Sequence, residues 1–165
     1  MMFFDCVAAS GRPCALPSRA ADSVWHAWTR MNAADLDRFC ILHFGSTIPH
    51  LDEARMTGSM GEALAACLVQ GRRRASKPAA GTDLPRLFTL DQRLGMPRGF
   101  AYGIVGGLVA CSNMDELGQP DGRPRFPHAL APQGLLRAGL ISNAEFIKVR
   151  GPVAPPAAAP WAAIG

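Results

Sequence analysis

The chain has 165 residues, 48% of them hydrophobic and 7% aromatic, with a net charge of +4 and a pI near 9.1. This length and apolar content exclude a chain that stays unfolded for lack of a core, and they suffice for one folded domain. Since alanine and leucine outweigh β-branched residues, we predict a mainly α fold. The prediction is a single compact helical domain over residues 1–151 with an irregular C-terminal part, then a flexible Pro/Ala-rich tail over 152–165.

The cysteines and the apolar segments predict a cytoplasmic protein. There are five cysteines, an odd number, scattered without a C-x-x-C pair, which indicates reduced thiols rather than a disulfide framework. The N-terminal sequence MMFFDCVAAS lacks a basic flank before a sustained apolar run, so no secretory signal is expected. The longest apolar segment, residues 100–111, is too short to span a bilayer, and we expect no membrane segment.

Two helices are predicted in the first 31 residues. The first occupies residues 1–10 and ends where Gly11 lets the chain turn. Ser18 directly follows a proline and is a good N-cap, because its hydroxyl can accept a hydrogen bond from a free amide of the first turn. The second helix should therefore begin there and run to about Met31.

A third helix is expected to follow with almost no loop. Asn32 repeats the N-cap signal, with Asp35 three residues later, and Gly45 provides a typical C-terminal stop. Helices joined so closely must meet at an angle. One face of this helix carries Leu36, Phe39, Cys40 and His43.

Two later helices carry similar signals. Ser59 and Glu62 form a Ser-x-x-Glu capping box at the start of an amphipathic segment. Residues 84–94 predict another helix, ended by Gly95. Its expected interior side chains are Leu84, Leu87, Phe88, Leu90 and Leu94.

The pattern is weaker from residue 99 onward. Residues 99–112 are compatible with a strand or with a glycine-rich packed segment, and periodicity does not decide between them. Residues 118–134 predict a long turn-rich loop, and residues 135–151 a short helix or strand.

A motif in the first half resembles a known family. Asp22, Trp25 and His26 form D-x-x-W-H, followed by Phe39-Cys40, Phe44-Gly45 and His50. This pattern resembles small bacterial proteins related to the glycine-rich-domain protein family, whose plant members carry an N-terminal domain of unknown function. Residues 84–100, LPRLFTLDQRLGMPRGF, are similar to a later part of those proteins. The resemblance implies a fold and the location of a site, but no particular reaction.

One departure from that family concerns a histidine. Many of its members have a His-His pair after the F-G dipeptide, whereas this chain has Pro49-His50. A metal site would therefore have one imidazole fewer to draw on.

The D-x-x-W-H helix offers a candidate site. Asp22 and His26 are four residues apart and so share one helix face, where both can bind the same ion. With His50 folded over them, they predict a site for a divalent metal such as zinc or iron, or for another ligand. Trp25 and Thr29 extend the same face as ligand contacts. No catalytic residue is assigned.

A structural alternative for the same helix stays open. Asp22 can simply fix the tautomer of a buried His26, with both tryptophans serving as core anchors. A second apolar stripe on this helix is predicted to face the core: Val24, Ala27, Trp28 and Met31.

Other functions have less support. Cys40 lies near histidines but on an apolar stripe, which is typical of a buried packing thiol rather than a nucleophile. The glycine-rich segment lacks G-x-G-x-x-G spacing. The basic residues at 72–77 suit the end of a helix dipole better than nucleic acid, which we do not expect as a partner.

The alternative of another class is a non-catalytic interaction module that docks a protein partner through an apolar groove and the tail with Trp161.

Overall fold

The fold combines helices with a small antiparallel sheet. The structure, a computed structural model, describes residues 2–48 and 59–150. The helices within these ranges are α1 (Met2–Ser10), α2 (Arg19–Phe44), α3 (Met60–Arg74), α4 (Leu90–Leu94), α5 (Pro132–Arg137) and α6 (Asn143–Arg150). The strands are β1 (Phe100–Val105), β2 (Leu108–Met114) and β3 (Pro120–Arg125), with 3-10 turns at Arg86–Thr89 and His128–Leu130.

The predicted helices are present, but a small antiparallel sheet makes the fold mixed α/β rather than a helical domain alone. The undecided segment 99–112 contains β1 and most of β2, which pair antiparallel from Phe100 opposite Asn113 to Val105 opposite Leu108. Gly106 and Gly107 form the turn with φ values of 56° and 79°, the left-handed geometry that a two-residue hairpin loop requires.

The prediction of a loop over 118–134 was wrong in part. The chain there forms β3, which pairs with β2 through an irregularity between Cys111 and Asn113. Every residue of β3 is exposed, so its sequence PDGRPR shows no apolar alternation that could reveal a strand. Residues 135–151, predicted to form a short helix or strand, contain the second half of α5 and all of α6.

The predicted helix caps in the first half are confirmed. The Ser18 Oγ accepts a hydrogen bond from the Ala21 N–H at 3.1 Å, and Gly45 ends α2 in the left-handed conformation with φ of 79°. The Ser59 Oγ accepts from the Glu62 N–H at 3.1 Å at the start of α3. Local hydrogen bonding thus sets the bounds of these helices.

The expected angle between two consecutive helices is present as a kink in α2. Asn32 has non-helical backbone angles, φ −159° and ψ 78°, and its Oδ1 accepts from the Asp35 N–H at 3.1 Å. The ring centroids of Trp28 and Phe39 are 5.2 Å apart, whereas eleven residues of a continuous helix span about 16 Å. The second half of α2 therefore folds back against the first.

The helix predicted over 84–94 is shorter than expected. It consists of the 3-10 turn Arg86–Thr89 followed by α4, and Gly95 ends α4 with φ of 58°. Leu87 and Phe88 are buried as predicted, but Leu94, the last residue of α4, is 62% exposed.

Helix α3 is the centre of the core. Its residues from Ala65 to Val69 are all buried, with α1 packed against one side and the 3-10 turn His128–Leu130 against another. Leu68, Leu130 and Leu135 are almost completely removed from solvent. The small residues of α3 allow this close approach, since alanine adds little bulk between packed helices.

A buried carboxylate joins the start of α2 to the rest of the fold. Asp91 is only 1% exposed, and its Oδ1 accepts from the Ser18 Oγ at 2.7 Å and the Ala20 N–H at 3.0 Å. Its Oδ2 accepts from the N–H groups of Arg19 and Phe100, both at 2.9 Å. Burial by itself raises the pKa of Asp91, but these hydrogen bonds together lower it below its ordinary value. These hydrogen bonds hold the start of α2 against α4 and the start of β1.

Candidate functional site

A large cavity lies between the helices and the sheet. It has a volume of about 1080 Å³ and is bordered by α1, residues 11–16, the first half of α2, the start of α3 and the sheet. Ligand pockets commonly measure about 300–1,000 Å³, so this one is large enough for a small molecule. We call it the hollow. Its apolar lining includes Phe3, Val7, Leu16, Trp25, Ile48, Met60, Leu64, Phe100 and Phe126, and its polar lining Arg12, Cys14, Asp22, His26, Tyr102, Cys111 and Arg125.

The structure places Asp22 and His26 side by side at the hollow. The His26 Nε2 is 3.3 Å from the Asp22 Oδ2, and both residues contribute to the lining. The His26 side chain is 42% exposed and the Asp22 side chain 41%. The alternative, in which His26 is buried, was therefore wrong on that point, because this face of α2 borders an open cavity. Here the imidazole can donate a hydrogen bond to a molecule in the hollow or accept one from it, and the carboxylate can accept one.

Of the two further contacts predicted on this helix, Trp25 reaches the hollow. It is 8% exposed and packs against Phe3 and Phe4 of α1, with ring centroids 5.1 Å and 5.4 Å away. Thr29 is not among the residues that line the hollow, and its Oγ1 donates to the Trp25 carbonyl oxygen at 2.9 Å. A threonine hydroxyl bonded to its own helix backbone has a local role.

The second apolar stripe of this helix does not face the core as predicted. Val24, Ala27 and Met31 are exposed, Met31 to 85%, and Trp28 is half-buried against Phe39. The reason is that α1 covers the Trp25 face instead. The side of α2 that lies inward is thus the one that carries the D-x-x-W-H motif.

The predicted metal site is described only in part. His50 lies outside the described residues, and within residues 2–48 and 59–150 no group of three or more histidine, cysteine, aspartate or glutamate side chains has a geometry that could hold a metal ion. Of the three predicted ligands, Asp22 and His26 are described, and their side chains lie together. A metal site for zinc or iron stays a prediction.

A row of polar side chains on the sheet was missed by the sequence reasoning. Tyr102 of β1 is opposite Cys111 of β2, and Cys111 is opposite Arg125 of β3, and all three line the hollow. The Tyr102 hydroxyl and the Cys111 thiol are hydrogen-bonded to each other, and burial raises the pKa of both, so both are neutral at pH 7. This row was not foreseen because it exists only once the three strands are paired.

The cysteines outside the hollow are packing residues. None of the five thiols forms a disulfide, as predicted, and Cys6, Cys40 and Cys67 are buried in the core. Burial raises the pKa of the Cys40 thiol, as expected for a protonated packing residue rather than a nucleophile.

The basic segment 72–77 has structural partners. Arg72 is buried, and its Nε donates to the Asp83 carbonyl oxygen at 2.8 Å and its Nη1 to the Ala79 carbonyl oxygen at 3.0 Å. Burial lowers the pKa of Arg72 to about 10, so it stays charged at neutral pH. The other basic side chains pair with carboxylates: Arg73 with Glu145, Arg74 with Asp5 and Lys77 with Asp83. These contacts give each of these basic side chains a role within the fold.

The fold and the hollow define a small mixed α/β protein with a ligand-sized cavity. A family model described as UCP032817-like matches residues 1–116, and the chain belongs to this family. No curated protein and no solved structure matches the chain. The matched residues include Asp22, His26 and the hairpin β1–β2, whereas Arg125 lies beyond them. The relation to the glycine-rich-domain family stays a prediction. Among the described helices, none has the length and apolar character needed to cross a bilayer.

Proposed function

We propose that the protein binds a small, largely apolar molecule in the hollow, with Asp22 and His26 as polar contacts. The observation that carries this proposal is the half-exposed Asp22–His26 pair at the wall of a predominantly apolar cavity of about 1080 Å³. An apolar cavity with a few polar groups is the usual form of a ligand site.

The apolar lining supplies affinity and the pair supplies orientation. Transfer of apolar surface from water into the hollow stabilises a complex by about 25 cal/mol per Å². The carboxylate and imidazole then favour one way of inserting a ligand that carries a hydroxyl or another neutral polar group.

The same pair supports a second candidate, the divalent metal predicted from the sequence. An aspartate oxygen and a histidine nitrogen 3.3 Å apart on adjacent turns can approach one ion together. Zinc and iron both accept this donor set, with His50 as the third predicted ligand.

The interaction module stays a prediction of another class. Exposed apolar side chains on α2, including Val24, Met31 and Leu42, offer a surface for a protein partner. Trp161 and the tail over 152–165, on which that alternative depends, lie outside the described residues.

The test of ligand binding uses N-phenyl-1-naphthylamine, an uncharged apolar fluorophore. We expect saturable binding to the wild-type chain, and binding at least about tenfold weaker when Val7→Phe and Leu64→Phe reduce the hollow from α1 and α3. The matched control is Val24→Phe with Leu42→Phe, which enlarges two exposed side chains of α2. A control that loses binding as much as the hollow variant, or a wild-type chain without saturable binding, would contradict the proposal.

A further inference from the structure

We infer that the ligand of the hollow is an amphiphilic anion, an apolar chain with a carboxylate-like head group that Arg125 binds. This inference rests on the proposed function, because it assigns a chemical class to the molecule in the same cavity. It follows from the charges at the wall and their partners.

Two arginines line the hollow, and neither has an acidic partner among the described residues. Within the described part of the chain, Arg12 and Arg125 form no ion pair, whereas Arg38, Arg73, Arg74 and Arg98 each pair with a carboxylate. With Asp22 as the one described carboxylate in the lining, the wall has more positive than negative charge at neutral pH. An anion complements this charge.

Arg125 is better placed than Arg12 to bind the head group. The Arg12 Nη1 donates to the Ala138 carbonyl oxygen at 2.6 Å, which directs its guanidinium toward the segment after α5. The Arg125 Nη2 donates to the Asn113 Oδ1 at 2.8 Å, and the guanidinium also bonds to the Cys111 thiol, so two neutral groups of β2 orient a side chain with five N–H donors. The remaining donors can form the two parallel bonds that suit a carboxylate.

The neighbours of Arg125 favour an amphiphile over a small inorganic anion. Cys111, opposite Arg125 in the sheet, and Tyr102, opposite Cys111, are both neutral, so they add hydrogen-bonding groups but no competing charge. Phe126 follows directly in sequence and also lines the hollow, as does Phe100 on strand β1 of the same sheet. A charged head at Arg125 therefore places its chain against aromatic and aliphatic surface.

The Asp22–His26 pair, which lines the hollow from a different element than Arg125 does, gives the ligand a direction. Asp22 and His26 line the hollow from α2, whereas Arg125 lines it from the edge strand β3. A carboxylate near Asp22 would meet like charge, which disfavours the reversed orientation. The Asp22–His26 end suits a hydroxyl or another neutral polar group on the distal part of the ligand.

The experiment compares three ligands of equal chain length. Decanoate, 1-decanol and decyltrimethylammonium compete with bound N-phenyl-1-naphthylamine, and binding of decanoate is also measured by calorimetry. We expect decanoate to compete at about tenfold lower concentration than the alcohol, and the cation to be the weakest. Arg125→Gln should reduce decanoate to the level of the alcohol while leaving the alcohol unchanged.

Two further variants make the result specific. Arg125→Lys retains a cation and should keep most of the preference for decanoate. Arg123→Gln removes an arginine of the same strand that does not line the hollow and should change nothing. If the fluorophore binds but decanoate and decanol compete equally, or Arg125→Gln weakens both alike, the anion assignment is wrong and the proposed function stands. If neither fluorophore nor decanoate binds, both are wrong.

Discussion

Asp91 and Asp22 are both associated with α2, and their surroundings differ in a way that separates structure from function. Asp91 is buried and accepts four hydrogen bonds, three of them from residues 18–20. Asp22 is 41% exposed and lies beside His26 at the wall of the hollow. A carboxylate whose acceptor sites are filled by buried donors holds the fold together, whereas one at the wall of an open cavity can contact a ligand.

The largest effect is expected from removing the charge of Asp91. Asp91→Asn places an amide NH₂ where donors already converge, so at least one buried N–H or hydroxyl loses its acceptor. We expect the free energy of unfolding to fall by about 2–4 kcal/mol, measured by urea denaturation. Asp22→Asn is the matched control and should cost less than about 1 kcal/mol, because Asp22 is 41% exposed and solvent screens its pairing with His26. Equal losses in the two variants would contradict the comparison.

The contribution of Asp91 should also depend on pH. Because hydrogen bonds lower its pKa in the folded state, the charged form stabilises the protein above the ordinary aspartate pKa of about 3.9. That stability is lost as the pH falls from there through the folded-state pKa. The difference in unfolding free energy between wild type and Asp91→Asn should therefore be largest near pH 7 and shrink below about pH 4. A difference that stays constant down to pH 3 would show that Asp91 does not act through its charge.

Crowding Asp91 should have a smaller effect than removing its charge. A Cβ added at Gly99 would lie 2.8 Å from the Asp91 Oδ2, so Gly99→Ala must displace the carboxylate or the chain before β1. We expect a loss of about 1–3 kcal/mol in the free energy of unfolding. Gly103→Ala, within β1, is the control, since a Cβ there meets no atom within 4 Å. Greater loss from the control would mean that Gly99 does not support the hydrogen bonds of Asp91.

The smallest effect on stability is expected at His26. His26→Ala should change the unfolding free energy by less than about 1 kcal/mol, because the imidazole is half exposed. The effect of His26→Ala should instead appear in the binding of N-phenyl-1-naphthylamine or in the metal content of the protein. Elemental analysis of protein purified without an affinity tag distinguishes the two, since stoichiometric zinc or iron in wild type and its loss in His26→Ala supports the metal. Negligible metal in both removes that candidate.

The sequence predicted the features that depend on neighbouring residues. Ser18, Asn32 and Ser59 were recognised as caps because each bonds an amide three residues later. The i, i+4 spacing predicted that Asp22 and His26 lie together, which the structure bears out at 3.3 Å. The Gly106-Gly107 pair between apolar runs was a hairpin signal that could have decided the open choice over 99–112.

Features that depend on distant contacts could not be predicted. Ser18 and Asp91 are 73 residues apart, and no local pattern marks the aspartate as the acceptor for the start of α2. The apolar stripe of Val24 and Met31 has the spacing of a buried face, but which face of a helix is covered depends on where α1 packs. Arg125 reaches the hollow only because β3 pairs with β2, and the exposed strand leaves no periodic signal.

The measurement that tests the central claim most directly is amide chemical-shift mapping of the wild-type chain during titration with 1-octanol, a neutral apolar ligand. If the hollow binds the alcohol, saturable shifts are concentrated at residues bordering it, such as Val7, Cys14, Leu64 and Tyr102, with the exposed Val24 and Met31 unaffected. Shifts confined to the outer side of α2, or no saturable shifts, would contradict binding in the hollow.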